Sequence, residues 1–237
     1  MPLLDHFRPP LSVERPWDGV HSVWASAIAR LLNHGVLPED YVALPQVTMA
    51  GRIEIDVATV RDSGSGGGVA TATYAPPRPA LSGPLDASSL AGREVQVVQN
   101  LGGPRLRAAI ELVSPGNKDR PAARLAFAVK CAAYLSRGVS VVVVDVVTER
   151  SANLHAELVA LLRLPPAFAW ASATGLSAIA YHPAREGTGL RLDLWPHELA
   201  IGEELPELPL WLEPALSVPL ELEESYREAC ADVRIRF

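Results

Sequence analysis

Nine consecutive residues, Val139-Ser140-Val141-Val142-Val143-Val144-Asp145-Val146-Val147, limit what this chain can fold into. Valine is stiff at its branched β-carbon and favours extended backbone. The run does not alternate between apolar and polar residues, so neither face is left for water. Such a strand is buried on both sides, which calls for a parallel or mixed sheet covered by helices. Asp145 interrupts the run, which is also far too short to cross a bilayer.

The flanks agree with that reading. Leu106–Val113 is a strand candidate ended by Ser114-Pro115, and Asn117–Pro121 is a polar loop. Ala122–Arg137 has helical periodicity and is closed by Gly138. Upstream, Val20, Val23, Trp24, Ala27, Ile28 and Leu31 recur at helical spacing over Asp18–Asn33, with Asp18 as the expected N-cap. Tyr41–Met49 and Arg52–Val60 read as two strands joined at Ala50-Gly51. In the second, Arg52, Glu54 and Asp56 share one face and Ile53, Ile55 and Val57 the other. Asp62–Gly68 is rich in Gly and Ser but lacks the Gly-Lys-Ser/Thr ending of a phosphate-binding loop, so it reads as a flexible turn. Ala75–Pro84 reads as a Pro-rich connector, and Glu94–Gln99 as a short strand.

Beyond the valine run come a helix over Leu154–Leu162 and strands near Ser177–His182 and Leu190–Leu194. A Pro-rich stretch through Pro219 and a last helix over Glu221–Asp232 follow. The expectation is an α/β protein with an α-β-β-β-α-β core over about 18–147. C-terminal strands and a helix over 148–237 pack on that core within a single domain, 1–237.

Bulk properties exclude some functions. The 237 residues carry a net charge of −6 and no Lys/Arg cluster. Nucleic-acid binding over a broad surface draws on basic patches, so only a local contact with DNA or RNA fits this chain. Cys131 and Cys230 are far apart and belong to no metal-ligand pattern, so two buried, reduced thiols are expected. No basic segment followed by an apolar one opens the chain, and a cytoplasmic location without membrane contact is expected. His155, His182 and His197 show no zinc-ligand spacing, and His21 lies among apolar helix residues and reads as a packing residue. No Gly-x-Ser-x-Gly elbow is present. The tryptophans at 17, 24, 170, 195 and 211 are scattered, as core or edge residues are.

Two carboxylates need a reason for their positions. Asp56 lies inside a strand, between Ile55 and Val57, and Glu111 lies between Ile110 and Leu112. An ionised side chain there is costly unless it is paired, solvated or bound to a metal. If the two converge, they make a hard oxygen site suited to Mg²⁺ or Mn²⁺. The plainer alternative is pairing with Arg52, Arg107 or a lysine.

The run Ala109-Ile110-Glu111-Leu112-Val113-Ser114-Pro115-Gly116-Asn117-Lys118 resembles the IEVLSPxNK signature of the bacterial domain of unknown function 4058 family. Further points of likeness are His21-x-x-Trp24, Ile53-Glu54-Ile55-Asp56, Lys130, Val144-Asp145-Val146, Leu205-Pro206, Pro219-Leu220 and Tyr226, so the resemblance covers nearly the whole chain. The same string is similar to the EVLSP motif of the Uma-type restriction endonuclease family, within the PD-(D/E)XK nuclease-like superfamily. The resemblance implies a restriction-endonuclease-like core and Mg²⁺- or Mn²⁺-dependent hydrolysis of nucleic acid. Asp56 and Glu111, with the main-chain carbonyl of Leu112, would be the metal ligands. The lysine expected two residues after Glu111 is absent, since that position is Val113. Lys130 or Lys118 would then supply the catalytic ammonium. Alternatively the chain is an inactive binding or regulatory module on the same fold, and a homodimer is expected under either reading.

Overall fold

The computed structural model describes residues 1–49, 53–61, 74–85, 105–187 and 189–235. The expected turn at Ala50-Gly51, the loop Asp62–Gly68 and the strand Glu94–Gln99 lie outside them. Among the described residues, one mixed sheet contains β1 (Tyr41–Met49), β2 (Ile53–Arg61), β3 (Leu81–Leu85), β4 (Arg105–Leu112), β5 (Ser140–Asp145), β6 (Leu176–Glu186) and β7 (Gly189–Leu199). Its spatial order is β1-β2-β4-β5-β6-β7-β3, while β8 (Glu207–Glu213) and β9 (Leu216–Glu221) form a separate antiparallel pair. The helices are α1 (Leu11–Glu14), α2 (Trp17–Leu31), α3 (Pro115–Lys118), α4 (Pro121–Leu135), α5 (Leu154–Leu162) and α6 (Leu222–Asp232). The chain is an α/β protein.

The valine strand sits in the middle of the sheet. β5 runs parallel to β4 and antiparallel to β6, and every one of its residues is buried. Val142 and Val144 enter one core with Val57, Ile110 and Leu112, under α2, α6 and the β8–β9 pair. Val141 and Val143 enter a second core with Ala109, Ile179 and Tyr181, under α4 and α5. Fully burying one such aliphatic side chain contributes roughly 1.5–3 kcal/mol. Two covering layers are therefore worth their ordering entropy. The first layer is pinned where Trp24 of α2 donates from Nε1 to Ser225 Oγ of α6 at 3.0 Å and meets the Tyr226 ring edge-on.

Residues after 147 extend the sheet itself, since β6 pairs with β5 and β7 pairs with β6. The supposed Pro-rich connectors hold strands as well, for a local reason. Proline removes a ladder donor and is tolerated where a strand edge is free. β5 reaches only Ser177–Tyr181 of β6, so Pro183 lies beyond it. Likewise β3 reaches only Leu190–Leu194 of β7, so Pro196 is clear of it. Pro84 lies in β3, an edge strand, and Pro209 and Pro219 face one another in the two-stranded pair.

The Ser-Pro-Gly-Asn-Lys segment turns the chain at the end of β4. The Ser114 amide and hydroxyl both donate to Asn117 Oδ1, at 2.9 and 3.0 Å, and Pro115 begins the single-turn helix α3. This turn drives Lys118 inward, where its side chain is fully buried. Its Nζ lies 2.8 Å from Asp145 Oδ2, at the end of β5, and donates to the Val147 carbonyl at 3.4 Å. Asp145 also accepts from the Val147 amide at 3.1 Å. Lys118, expected in a polar loop as one of two candidate catalytic lysines, is instead held in a buried ionic clamp.

Removing one partner strands a charge in the interior. Lys118→Ala is expected to lower unfolding stability by about 3–5 kcal/mol in equilibrium denaturation, and Lys118→Met with Asp145→Leu to recover most of the loss. A Lys118→Ala loss under about 1 kcal/mol would show that the pair does not act as a clamp.

Candidate functional site

The site forms where β2 and β4 part company. Their antiparallel register pairs Val57 with Ile110, and continuing it by one residue sets Asp56 across from Glu111. The ladder ends there because a side chain takes over: Asp56 Oδ2 accepts the Leu112 amide at 2.7 Å. Both carboxylates therefore meet at the carboxyl end of β4, the strand parallel to β5. Open α/β sheets commonly bind ligands at such strand ends.

Two helices complete the site from opposite faces. From α4, Lys130 Nζ donates to Glu111 Oε2 at 2.6 Å. From α2, His21 Nε2 lies 3.0 Å from the Leu112 carbonyl oxygen and 3.3 Å from Asp56 Oδ1. These residues line a cavity of about 240 Å³ together with Asp18, Ser22, Gln46, Ser114 and Asn117. Drug-sized ligands usually occupy roughly 300–1,000 Å³. This cavity suits a phosphate group or a hydrated ion better than a whole nucleotide.

Burial sets the electrostatics. The Glu111 side chain is 2% exposed, against 22% for Lys130 and 14% for Asp56. Desolvation pushes the Glu111 carboxyl up to about 7, against the pull of the Lys130 ammonium and with the Asp56 charge adding to the rise. For Lys130 burial works the other way, but Glu111 outweighs it and the net shift is upward, so the amine stays charged. Burial also opposes a charge on His21, yet Asp56 and the Leu112 carbonyl outweigh it and raise the imidazole above its ordinary value. Glu111 Oε1 is buried without a hydrogen-bond partner. The Tyr134 hydroxyl lies within electrostatic reach of it but does not meet hydrogen-bond geometry.

Of the four residues singled out from the sequence, the structure brings together Asp56, Glu111 and Lys130. Lys118 is in the clamp with Asp145 instead. His21 corrects the expectation of a packing residue. Its signal was present in the sequence: Asp18, His21 and Ser22 lie at i, i+3 and i+4, so they share one side of α2. Asp18 is not an N-cap. It is the second residue of α2, after Pro16 at the cap, and faces the cavity. Gln46 had no signal. It stands in β1 opposite Asp56 with a left-handed φ of 51°, and donates from Nε2 to Ser22 Oγ at 2.7 Å. That backbone conformation costs a non-glycine residue roughly 1 kcal/mol or more. Arg124 is paired with Glu157 of α5 at 2.8 Å.

Compared with models of known families, with curated proteins and with solved structures, the chain matches none.

The raised Glu111 value makes stability depend on pH. The native state holds this proton up to about 7, whereas an unfolded glutamate releases it near 4.5. The contribution is complete below the unfolded value and is lost as pH rises through the native one. In chelator, wild type is expected to lose roughly 2–4 kcal/mol relative to Glu111→Gln between pH 5 and 8. Denaturation curves that stay parallel across that range would contradict the assignment.

Proposed function

We propose that this cavity is the active site of a metal-dependent phosphodiesterase acting on DNA or RNA, on a restriction-endonuclease-like core. The observation that carries the reading is the convergence of Asp56, Glu111 and Lys130 at one strand end. The succession α2, β1, β2, β4, α4, β5, with β3 inserted and placed at the far edge of the sheet, supports it. So does the resemblance to the bacterial domain of unknown function 4058 family; the lysine of the PD-(D/E)XK pattern, absent at Val113, would be replaced by Lys130 from the neighbouring helix.

The donor set fits a hard divalent cation in kind. Asp56 and Glu111 offer carboxylate oxygens, Leu112 offers a carbonyl, and Glu111 Oε1 is a buried acceptor with no hydrogen-bond partner. Among the described residues no group of three His, Cys, Asp or Glu side chains is placed to hold an ion as it stands. Mg²⁺ or Mn²⁺ would therefore rest on the two carboxylates, the Leu112 carbonyl and water. When bound, the ion supplies Lewis acidity to the phosphate and to the attacking water.

The protein's own groups have separate tasks. The Leu112 amide fixes Asp56 Oδ2, which leaves Oδ1 for the cavity. Lys130 stays an ammonium, so its role is to orient the water and to hold negative charge building on the phosphate. Proton abstraction does not suit it. With a net charge of −6, contact with the nucleic acid is local to this rim.

A second reading is an inactive binding or regulatory module. In its favour, Asp56 and Glu111 each have an ion-pair partner, in His21 and Lys130. Such a module would act as a homodimer, with Val42 and Leu44 of the edge strand β1 partly exposed to a second copy.

Titration calorimetry with Mn²⁺ separates the two. The phosphodiesterase reading expects one ion per chain, at least about tenfold weaker in Asp56→Ala and in Glu111→Ala. Lys130→Ala should keep the ion but cleave single- or double-stranded substrates roughly 10²-fold more slowly. No binding by folded wild type would leave the module.

A further inference from the structure

We propose that His21 is a third side-chain donor, beside Asp56 and Glu111, to the cation of this site, and that it makes the site select Mn²⁺ or Co²⁺ over Mg²⁺. This rests on the reading of the cavity as a cation site. The grounds are the aim and the spacing of one ring nitrogen. Nε2 addresses two oxygens at once, Leu112 O at 3.0 Å and Asp56 Oδ1 at 3.3 Å, and a single N–H can be linear to only one of them. Neighbouring ligands of an octahedral ion, each about 2.1 Å from it, stand about 3 Å apart. Both spacings from Nε2 have that size, so the nitrogen is placed as a neighbour of each oxygen in such a shell. Two of the three belong to groups already expected to hold the ion, and the nitrogen is the addition.

The ring is held from behind. His21 lies in the interior of the fifteen-residue helix α2, and the Trp17 ring meets it edge-on at 5.8 Å. Asp18, one turn earlier, lines the same cavity and can accept from a water on the ion. Glu111 Oε1, buried and with no hydrogen-bond partner, is the acceptor that a cation would satisfy from the other side. Lys130 holds the other oxygen, Oε2, at 2.6 Å. Imidazole favours the transition metals, whereas carboxylate, carbonyl and water alone suit Mg²⁺.

The test compares Mg²⁺, Mn²⁺ and Co²⁺ by calorimetry on wild type, His21→Ala and His21→Asn. Asparagine retains an amide that can bond Leu112 but offers oxygen in place of nitrogen. Wild type should bind Mn²⁺ and Co²⁺ at least tenfold more tightly than Mg²⁺. Both variants should lose roughly 10–100-fold for Mn²⁺ and Co²⁺ and less than about threefold for Mg²⁺. Electron spin echo spectroscopy of the Mn²⁺ protein should show a ¹⁴N coupling that His21→Asn abolishes. Equal selectivity in wild type and variants, or no ¹⁴N coupling, would overturn the role of His21 while leaving the cation site in place. Tighter binding of all three ions by His21→Ala would show that the ring only blocks the site. No binding of any ion by wild type would remove the underlying reading, and this inference with it.

Discussion

Burial of β5 on both faces is the constraint on which the other elements depend. Val142 and Val144 need cover from α2, α6 and the β8–β9 pair, and Val141 and Val143 need it from α4 and α5. Removing either layer would expose half of a strand that has no polar face. The same requirement brings helices to both sides of the neighbouring parallel strand, β4. Groups from α2 and α4 can then reach the single rim where β4 ends.

At that rim the burial that stabilises the fold acts against it. Glu111 occupies a place in β4 where an apolar side chain would be better accommodated, and its carboxyl is pushed up to about 7. Lys130 offsets part of the cost, and one oxygen still lacks a hydrogen-bond partner. Buried, incompletely compensated carboxylates of this kind cluster at functional sites. The contrast with Lys118 and Asp145 is instructive. That pair is just as buried, but the Val147 carbonyl and amide give each member a further hydrogen bond, and it lines no part of the cavity.

Much of the architecture was legible because its signals are periodic. The valine run, α2 and α4 stand close to where their side-chain patterns put them. β3, β8 and β9 were hidden by Pro84, Pro209 and Pro219, since proline speaks against a strand unless the free edge is known, and edges are a tertiary property. The two carboxylates stood out because each interrupts an apolar strand. Choosing between Lys118 and Lys130 required the direction in which the Ser114–Asn117 turn sends the chain, which sequence spacing does not contain. His21 was misread because its polar partners, Asp56 and Leu112, come from strands 35 and 91 residues further along.

On the proposed reading, Asp56, Glu111 and Lys130 form a cation-assisted hydrolytic site. The most direct measurement is anomalous X-ray scattering at the manganese edge from crystals soaked in Mn²⁺. The account predicts one strong peak in the cavity, within bonding distance of oxygens from both Asp56 and Glu111. A soaked crystal with no peak there, and with Glu111 still held by Lys130, would contradict it.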